Sequence, residues 1–361
     1  MKPLPSSTHP NIFLVRSPLQ ALNAIEAKAY FAPDEYNILI VCYRKSYDKA
    51  LIKRIIELAP QWSEIHFFPL KPHLSLFHSF RRLLKRFPKV KYCMIGDYSH
   101  LINYYMNRLH YRDLIMLDDG TGTVYRAHQI QNRTLHTTHK TRFHAKSILS
   151  IWLNRLFGID ERYLYKVTLF TIYKELAQDT QLPIIYNRYR FLQNKTFTKP
   201  QRRTVYFLGS RIQEWFTDRT KFSEYLKSIV RYYQEQDIQF FYILHRKEEE
   251  GHIAEMAKQL EFEYVRFENI IEVELLQTDT LPMEIATFVS TGVTTLKTLY
   301  PNLIYTFFPL DISDLDPSFN LDERLFKVYE MFIQHDIRQA GIPPSVKTIA
   351  EKTKKSNKYL L

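Results

Sequence analysis

Short runs of consecutive apolar residues recur along the chain, and most are followed by stretches whose apolar positions fall at helical spacing. Runs without polar alternation belong to strands covered on both faces, as in parallel sheets. Residues 11–16 (NIFLVR) predict a first strand, 36–43 a second and 65–70 a third, with helices at 21–31 and 47–59 between them. Pro18 suits the first turn of a helix, where a missing N–H is harmless. The rhythm continues with a helix at 73–87, a strand at 91–95, a helix at 99–110 and a strand at 114–117. Strands alternating with helices predict a parallel sheet with helices on both sides.

Residues 158–200 lose this rhythm, and Pro183, Pro200 and the polar stretch 193–201 mark a connection. Beyond it, strands are predicted at 204–208, 239–244, 287–289 and 303–308, and helices at 216–235, 248–260, 294–299 and 322–334. The expected organisation is an N-terminal Rossmann-like domain over 1–157, a connecting segment over 158–200, a C-terminal Rossmann-like domain over 201–340 and a basic tail over 341–361. Two such α/β domains, each with a parallel sheet, predict a ligand cleft between them.

A length of 361 residues fits two domains, and 45% hydrophobic residues with only 8 glycines exclude a disordered chain. Cys42 and Cys93 lie in apolar runs and read as buried thiols, with no metal or disulfide spacing, so a cytoplasmic, reducing setting is expected. The net charge of +12 favours anionic partners. No apolar run is long enough to predict a transmembrane helix, and the start has no signal-peptide core. Any membrane contact is expected to be peripheral, on the cytoplasmic face of the inner membrane. The segment 71–91 carries seven Lys/Arg and no acid, with Leu74, Phe77, Phe80, Leu84 and Phe87 at helical spacing. It predicts a surface helix packed on the sheet, its basic side open to anionic lipid.

Candidate chemistry lies where predicted strands end. The run 114–117 stops at Asp118, Asp119 and Gly120, and no further acid occurs until Asp160, while six Lys/Arg intervene. Carboxylates there serve either as turn caps or as ligand groups at the sheet's carboxyl edge. Gly209 and Ser210 follow the strand at 204–208, and glycine at that place lets a ligand approach the backbone. Glu214 follows as a candidate base, or as an acid favoured in a first helical turn. His245, next to Arg246 and Lys247, ends a strand and suits a phosphate. Ser290, Thr291 and Thr294 open a helix, where free N–H groups and small hydroxyls serve as an anion site or as an N-cap. Glu284, just ahead of the strand at 287–289, is placed to hold ribose hydroxyls or to be solvated.

Taken together, the order of motifs resembles the bacterial lipooligosaccharide sialyltransferases of glycosyltransferase family 52. The resemblance rests on Ser17-Pro18-Leu19-Gln20, on residues 117–122 (LDDGTG), and on Leu208-Gly209-Ser210. It continues in His245, in Pro282-Met283-Glu284, and in residues 290–296 with Tyr300-Pro301-Asn302 behind them. It implies a GT-B-like fold and a metal-independent, inverting transfer of sialic acid from CMP-sialic acid to a glycan such as lipooligosaccharide or capsule. No cofactor is implied, and family analogy suggests a homodimer. His245 would meet the CMP phosphate, Ser290 and Thr291 would bind it, and Glu284 would hold the ribose. Ser17, Gln20, Asp118 and Gly120 would fall on the acceptor side. The family pattern has an aspartate two residues after Gly-Ser, where this chain has Ile212, so Glu214 is the first choice of base and Asp119 the second. Arg246 replaces the usual proline after the histidine. These differences leave a related CMP-activated nonulosonic acid or a UDP-hexose open as donor. A non-catalytic basic nucleic-acid- or glycan-binding protein is the competing class, but no nucleic-acid motif is present, and nucleic acid is not an expected partner.

Overall fold

The structure is a computed structural model that describes residues 9–59, 62–70, 82–83, 85–97, 109–134, 166–195 and 199–341. It divides into two compact units, with the boundary at Lys195/Thr196.

The first unit is a seven-stranded sheet in the order β3-β2-β1-β4-β5-β6-β7, with every pairing parallel. Its strands are β1 (Asn11–Val15), β2 (Asn37–Tyr43), β3 (Glu64–Pro69), β4 (Lys89–Ile95), β5 (His110–Leu117), β6 (Thr168–Thr171) and β7 (Ile184–Tyr186). The helices that matter for the site are α1 (Pro18–Phe31), α2 (Ser46–Ile56) and α3 (Thr121–Gln131). β1 is buried throughout, as an apolar run inside a doubly covered sheet must be.

The segment read as a connection differs from expectation. Thr168–Thr171 and Ile184–Tyr186 extend the first sheet. The chain after β7 then docks on α1. Asn187 Nδ2 and the Tyr189 hydroxyl both donate to Asn23 Oδ1, and the Leu192 N–H donates to Glu26 at 2.6 Å. The apolar run 167–173 (VTLFTIY) carried a strand signal that the missing crossover-helix pattern obscured.

The second unit is a six-stranded, wholly parallel sheet in the order β10-β9-β8-β11-β12-β13. The strands are β8 (Gln201–Leu208), β9 (Gln239–Ile243), β10 (Glu263–Val265), β11 (Leu281–Thr287), β12 (Ile304–Phe307) and β13 (Arg338–Gln339). Between them run α6 (Arg219–Gln234), α7 (Glu250–Leu260), α8 (Ile271–Gln277), α9 (Gly292–Leu299) and α10 (Asp322–Gln334), while the first unit also holds two one-turn helices, α4 (Leu176–Asp179) and α5 (Arg190–Gln193). Asp218 caps α6 by accepting from the Thr220 N–H.

The two Rossmann-like α/β units, each with a parallel sheet, are those that were expected. In each, the chain leaves the first strand to one side and later returns to the other. The order therefore reverses between β1 and β4, and again between β8 and β11. Ligands of open α/β sheets bind at the carboxyl ends of strands flanking such a reversal. Cys42 and Cys93 are buried, and burial pushes both thiols up to about 12, so neither is a reactive thiolate. The basic segment 71–91 lies largely outside the described residues. Of its described part, Leu83 and Phe87 are buried, and Arg86 pairs with Glu64 at 2.8 Å.

Candidate functional site

At the first reversal, β1 ends at Val15 and β4 at Ile95, with β5 beside β4. Arg16 donates to Asp97 at 3.0 Å, and Arg126 lies 3.5 Å from the other oxygen of the same carboxylate. Arg16 Nε is buried and has no partner among the described residues. The Ser17 hydroxyl caps α1 by accepting from the Gln20 N–H, and donates to Asp119 Oδ1 at 3.1 Å. Asp119 is half-buried, and burial raises its pKa against the pull of Gln20 and Ser17.

Its neighbour Asp118 is different. Asp118 is 2% exposed and accepts from the Thr123 hydroxyl, the Thr171 hydroxyl and the Ile172 N–H. It fastens β5 to β6 and is not an acceptor contact. Burial pushes it up to about 6 in spite of these bonds. Gln20 is also buried. Its Oε1 accepts from the Arg16 N–H, and its side chain fills the space beside Gly96, where a Cβ would meet Oε1 at 2.3 Å. Gln20 therefore shapes the edge rather than meeting a ligand. Gly120, at φ 65° and ψ −146°, occupies a backbone region that side chains exclude, and from it α3 begins.

At the second reversal, β8 gives way to Gly209 and Ser210, and β11 leads through Ser290 and Thr291 into α9. The Thr287 hydroxyl donates to Leu208 O at 3.0 Å and accepts from the Ser290 N–H, which ties the two strand ends together. Thr291 makes no side-chain cap, and the N–H groups of Thr291 and Gly292 have no acceptor among the described residues. These are the open donors of a helix start. Thr294 does not join them. It is fully buried, and its hydroxyl donates back to Thr291 O at 2.8 Å.

On the other side of β8, the exposed His245 follows β9. Its Nδ1 accepts from the Lys247 N–H at 3.3 Å, which leaves the proton of the neutral ring on Nε2. Partial burial, and then Arg246, Lys247, Arg211 and Arg266, hold the ring below the usual histidine range. At about 4.8 Å per strand, β9 and β11 stand roughly 10 Å apart across β8. His245 and Ser290 thus flank the Gly209 loop on one edge.

Of two expected carboxylates, one is not where its motif put it and the other is paired with an arginine. Glu284 lies within β11 and is 3% exposed; it accepts from the hydroxyls of Tyr233 and Thr306, with Arg338 at 3.4 Å. Three residues from the strand end, it lies about 10 Å behind the edge. It is a core group and not a ribose contact. Glu214 lies on the edge but is exposed, and the Arg211 guanidinium covers it at 2.6 Å.

Instead, two acids missed in the sequence occupy this edge. Glu272 in α8 is 4% exposed, and its Oε1 lies 3.8 Å from the point where Gly292 would carry a Cβ. Glu248 is buried beside Gly209, where a Cβ would approach its Oε2 to 2.5 Å. Burial pushes each up to about 7. Neither follows a strand directly, so neither carried a strand-end signal.

No protein-family model matches the chain, and no curated protein matches it. Among solved structures it is similar to Staphylococcus aureus MnaA with UDP, at 11% identity and a TM-score of 0.45, covering 98% of this chain and 97% of that one. It is also similar to Neisseria meningitidis UDP-GlcNAc 2-epimerase bound to UDP-GlcNAc, at 10% identity, TM-score 0.44 and coverage of 97% and 100%. A third is Escherichia coli ADP-heptose LPS heptosyltransferase II, at 12% identity, TM-score 0.41 and coverage of 91% and 100%. At these scores the likenesses assign neither a family nor an activity to this chain.

Among the described residues no cluster of His, Cys, Asp and Glu is arranged to hold a metal ion, and no helix is long and apolar enough to cross a membrane. A cavity of about 490 Å³ opens at the amino edge of the first sheet, beside Lys89, Lys91, His110 and Arg112, and holds none of the expected site residues.

Proposed function

We propose that this chain is a nucleotide-sugar-dependent glycosyltransferase that moves sialic acid, or a related nonulosonic acid, from a CMP-activated donor to a hydroxyl of a cell-surface glycan. The observation that carries the reading is the carboxyl edge of the second sheet. There the His245 ring, the open N–H groups of Thr291 and Gly292, and the Glu272 carboxyl line one strand-order reversal. A nucleotide needs these groups: donors for its phosphate and an acceptor for its ribose hydroxyls. Glu272 takes the ribose role that Glu284, held in the core, cannot fill.

In this mechanism the acceptor hydroxyl attacks the anomeric carbon as its proton passes to a carboxylate. Each unit offers one candidate base: in the first it is Asp119, whose proton affinity burial raises and which Ser17 orients, and in the second it is Glu214. Glu214 is exposed and paired with Arg211. The bond from the anomeric carbon to the phosphate oxygen breaks, and its electron pair leaves with CMP. The Nε2–H of His245 and the α9 N–H groups stabilise the charge that grows on the leaving phosphate, where preorganised donors are most effective. The mechanism assigns no role to a metal.

A donor screen tests this. The protein is incubated with CMP-sialic acid, other CMP-nonulosonic acids and UDP-hexoses, with and without a glycan acceptor, and nucleotide release is measured. Release of CMP alone, accelerated by acceptor, is expected. Release only from UDP-hexoses, or from no donor, rejects the reading.

A further inference from the structure

The turn that carries His245 is fastened in an unusual way. Its N–H donates to Glu248 Oε2 at 3.0 Å, and its carbonyl accepts from the Glu248 N–H at 2.8 Å and from Arg266 Nη1 at 2.7 Å. The second carboxylate oxygen, Oε1, accepts from the Tyr242 hydroxyl at 2.8 Å, on the strand that leads into the turn. Arg266 also donates to the Glu248 carbonyl at 2.8 Å. Gly209 stands so close that a methyl group there would meet both Oε2 and the Tyr242 ring.

We propose that Glu248 is the positioning residue of His245: its carboxylate clamps the strand-end turn between Tyr242 and the Gly209 loop, and holds the imidazole at the edge of the sheet. The clamp's relevance to turnover rests on the transferase reading, but its geometry does not.

Both oxygens act as acceptors. A proton on Oε2 would meet the His245 N–H, which can only donate, while a proton on Oε1 would reverse the Tyr242 bond; in either case a neutral carboxyl replaces the carboxylate and holds the turn more weakly. Burial brings this proton near neutrality, at about 7, while the Tyr242 and His245 bonds and Arg266 oppose that rise. The charged and titratable groups around the clamp are Tyr242 from β9, Arg266 after β10, Arg211 after β8, and Arg246 and Lys247 in the turn itself. Glu249 and Glu250 follow at the start of α7, and Glu250 lies 3.9 Å from Arg266. His245 is pushed down by its surroundings while Glu248 is pushed up. An acid limb near neutral pH therefore belongs to the clamp.

The test follows the His245 amide by NMR between pH 5 and 9 in the wild-type protein, Glu248→Gln and Tyr242→Phe, alongside steady-state kinetics on the donor. In the wild-type protein the amide should titrate with a midpoint at about 7. Glu248→Gln should abolish that titration. It should also lower kcat by roughly ten- to a hundredfold, the loss of one hydrogen bond to a charged group, with donor KM little changed and the acid limb gone. Tyr242→Phe removes a bond that favours the ionised form, so its midpoint should move to higher pH; this decides the matter if the Gln variant fails to fold. A His245 amide that titrates identically in Glu248→Gln, or an unmoved midpoint in Tyr242→Phe, overturns the proposal. If the wild-type protein releases no nucleotide, the transferase reading fails, and the NMR midpoints still decide the clamp.

Discussion

Asp118 accepts a hydrogen bond from the Thr171 hydroxyl at 2.9 Å, joining the end of β5 to the end of β6 across 53 positions of sequence. Asp119, one residue on, turns instead to Ser17 on the opposite side. Two adjacent carboxylates thus do separate work: one binds strands together, the other faces the edge.

Replacing the first should therefore unfold what replacing the second leaves intact. Asp118→Ala strands the Thr171 and Thr123 hydroxyls and the Ile172 N–H, and should destabilise the protein by about 2–4 kcal/mol. Asp119→Ala should change stability by less than about 1 kcal/mol while lowering turnover at least about tenfold. Urea melts and the donor assay separate the two.

Glu284 provides a similar contrast in the second unit. Glu284→Ala leaves the buried Tyr233 hydroxyl without its acceptor and should destabilise by about 2–4 kcal/mol. In the fraction that remains folded, calorimetry should find CMP affinity within about threefold of wild type, because the carboxylate lies about 10 Å from the edge.

The buried carboxyl of Glu272 predicts a pH-dependent gain in stability. Burial raises its pKa from 4.5 to about 7, so the native state holds the proton more tightly than the unfolded chain. Its contribution is complete below about 4.5 and is lost as pH rises through about 7. Glu272→Gln has no proton to lose. It should be more stable than wild type by about 1–3 kcal/mol at pH 8, with no advantage at pH 4.5. The same variant should bind CMP more weakly, the usual tension between a binding site and stability. Thermal melts at the two pH values, with and without CMP, check both signs.

His245 is exposed, so His245→Ala should leave the melting temperature within about 2 °C of wild type. Turnover should fall at least about tenfold through loss of the donor to the leaving phosphate. Near-normal turnover with a CMP-activated donor would remove the histidine from the mechanism.

Much of this edge was legible beforehand. Gly209, His245 and Ser290 were found because each directly follows an apolar run, and in a parallel sheet the end of a run is the carboxyl edge. Glu248 and Glu272 were not legible that way. They reach the edge from the turn before α7 and from the start of α8, through contacts with Gly209 and Gly292. Glu284 was misplaced because the strand was read only over 287–289, whereas β11 runs from Leu281 to Thr287 and passes Pro282 at a register shift. The strands at 168–171 and 184–186 were missed because they are short and fall in a stretch where no strand–helix rhythm was read.

By itself the sequence determined two parallel α/β sheets and the loops that end their strands. Both follow from local periodicity, which is how a chain records which faces it buries. Only the tertiary structure decided what each acid does. Asp118 and Glu284 became core anchors because hydroxyls and amides more than twenty positions away close over them. Glu248 and Glu272 became edge groups because glycines on other segments leave them room. A carboxylate's proton affinity is set by burial and by partners in space, and neither is written in its neighbours along the chain.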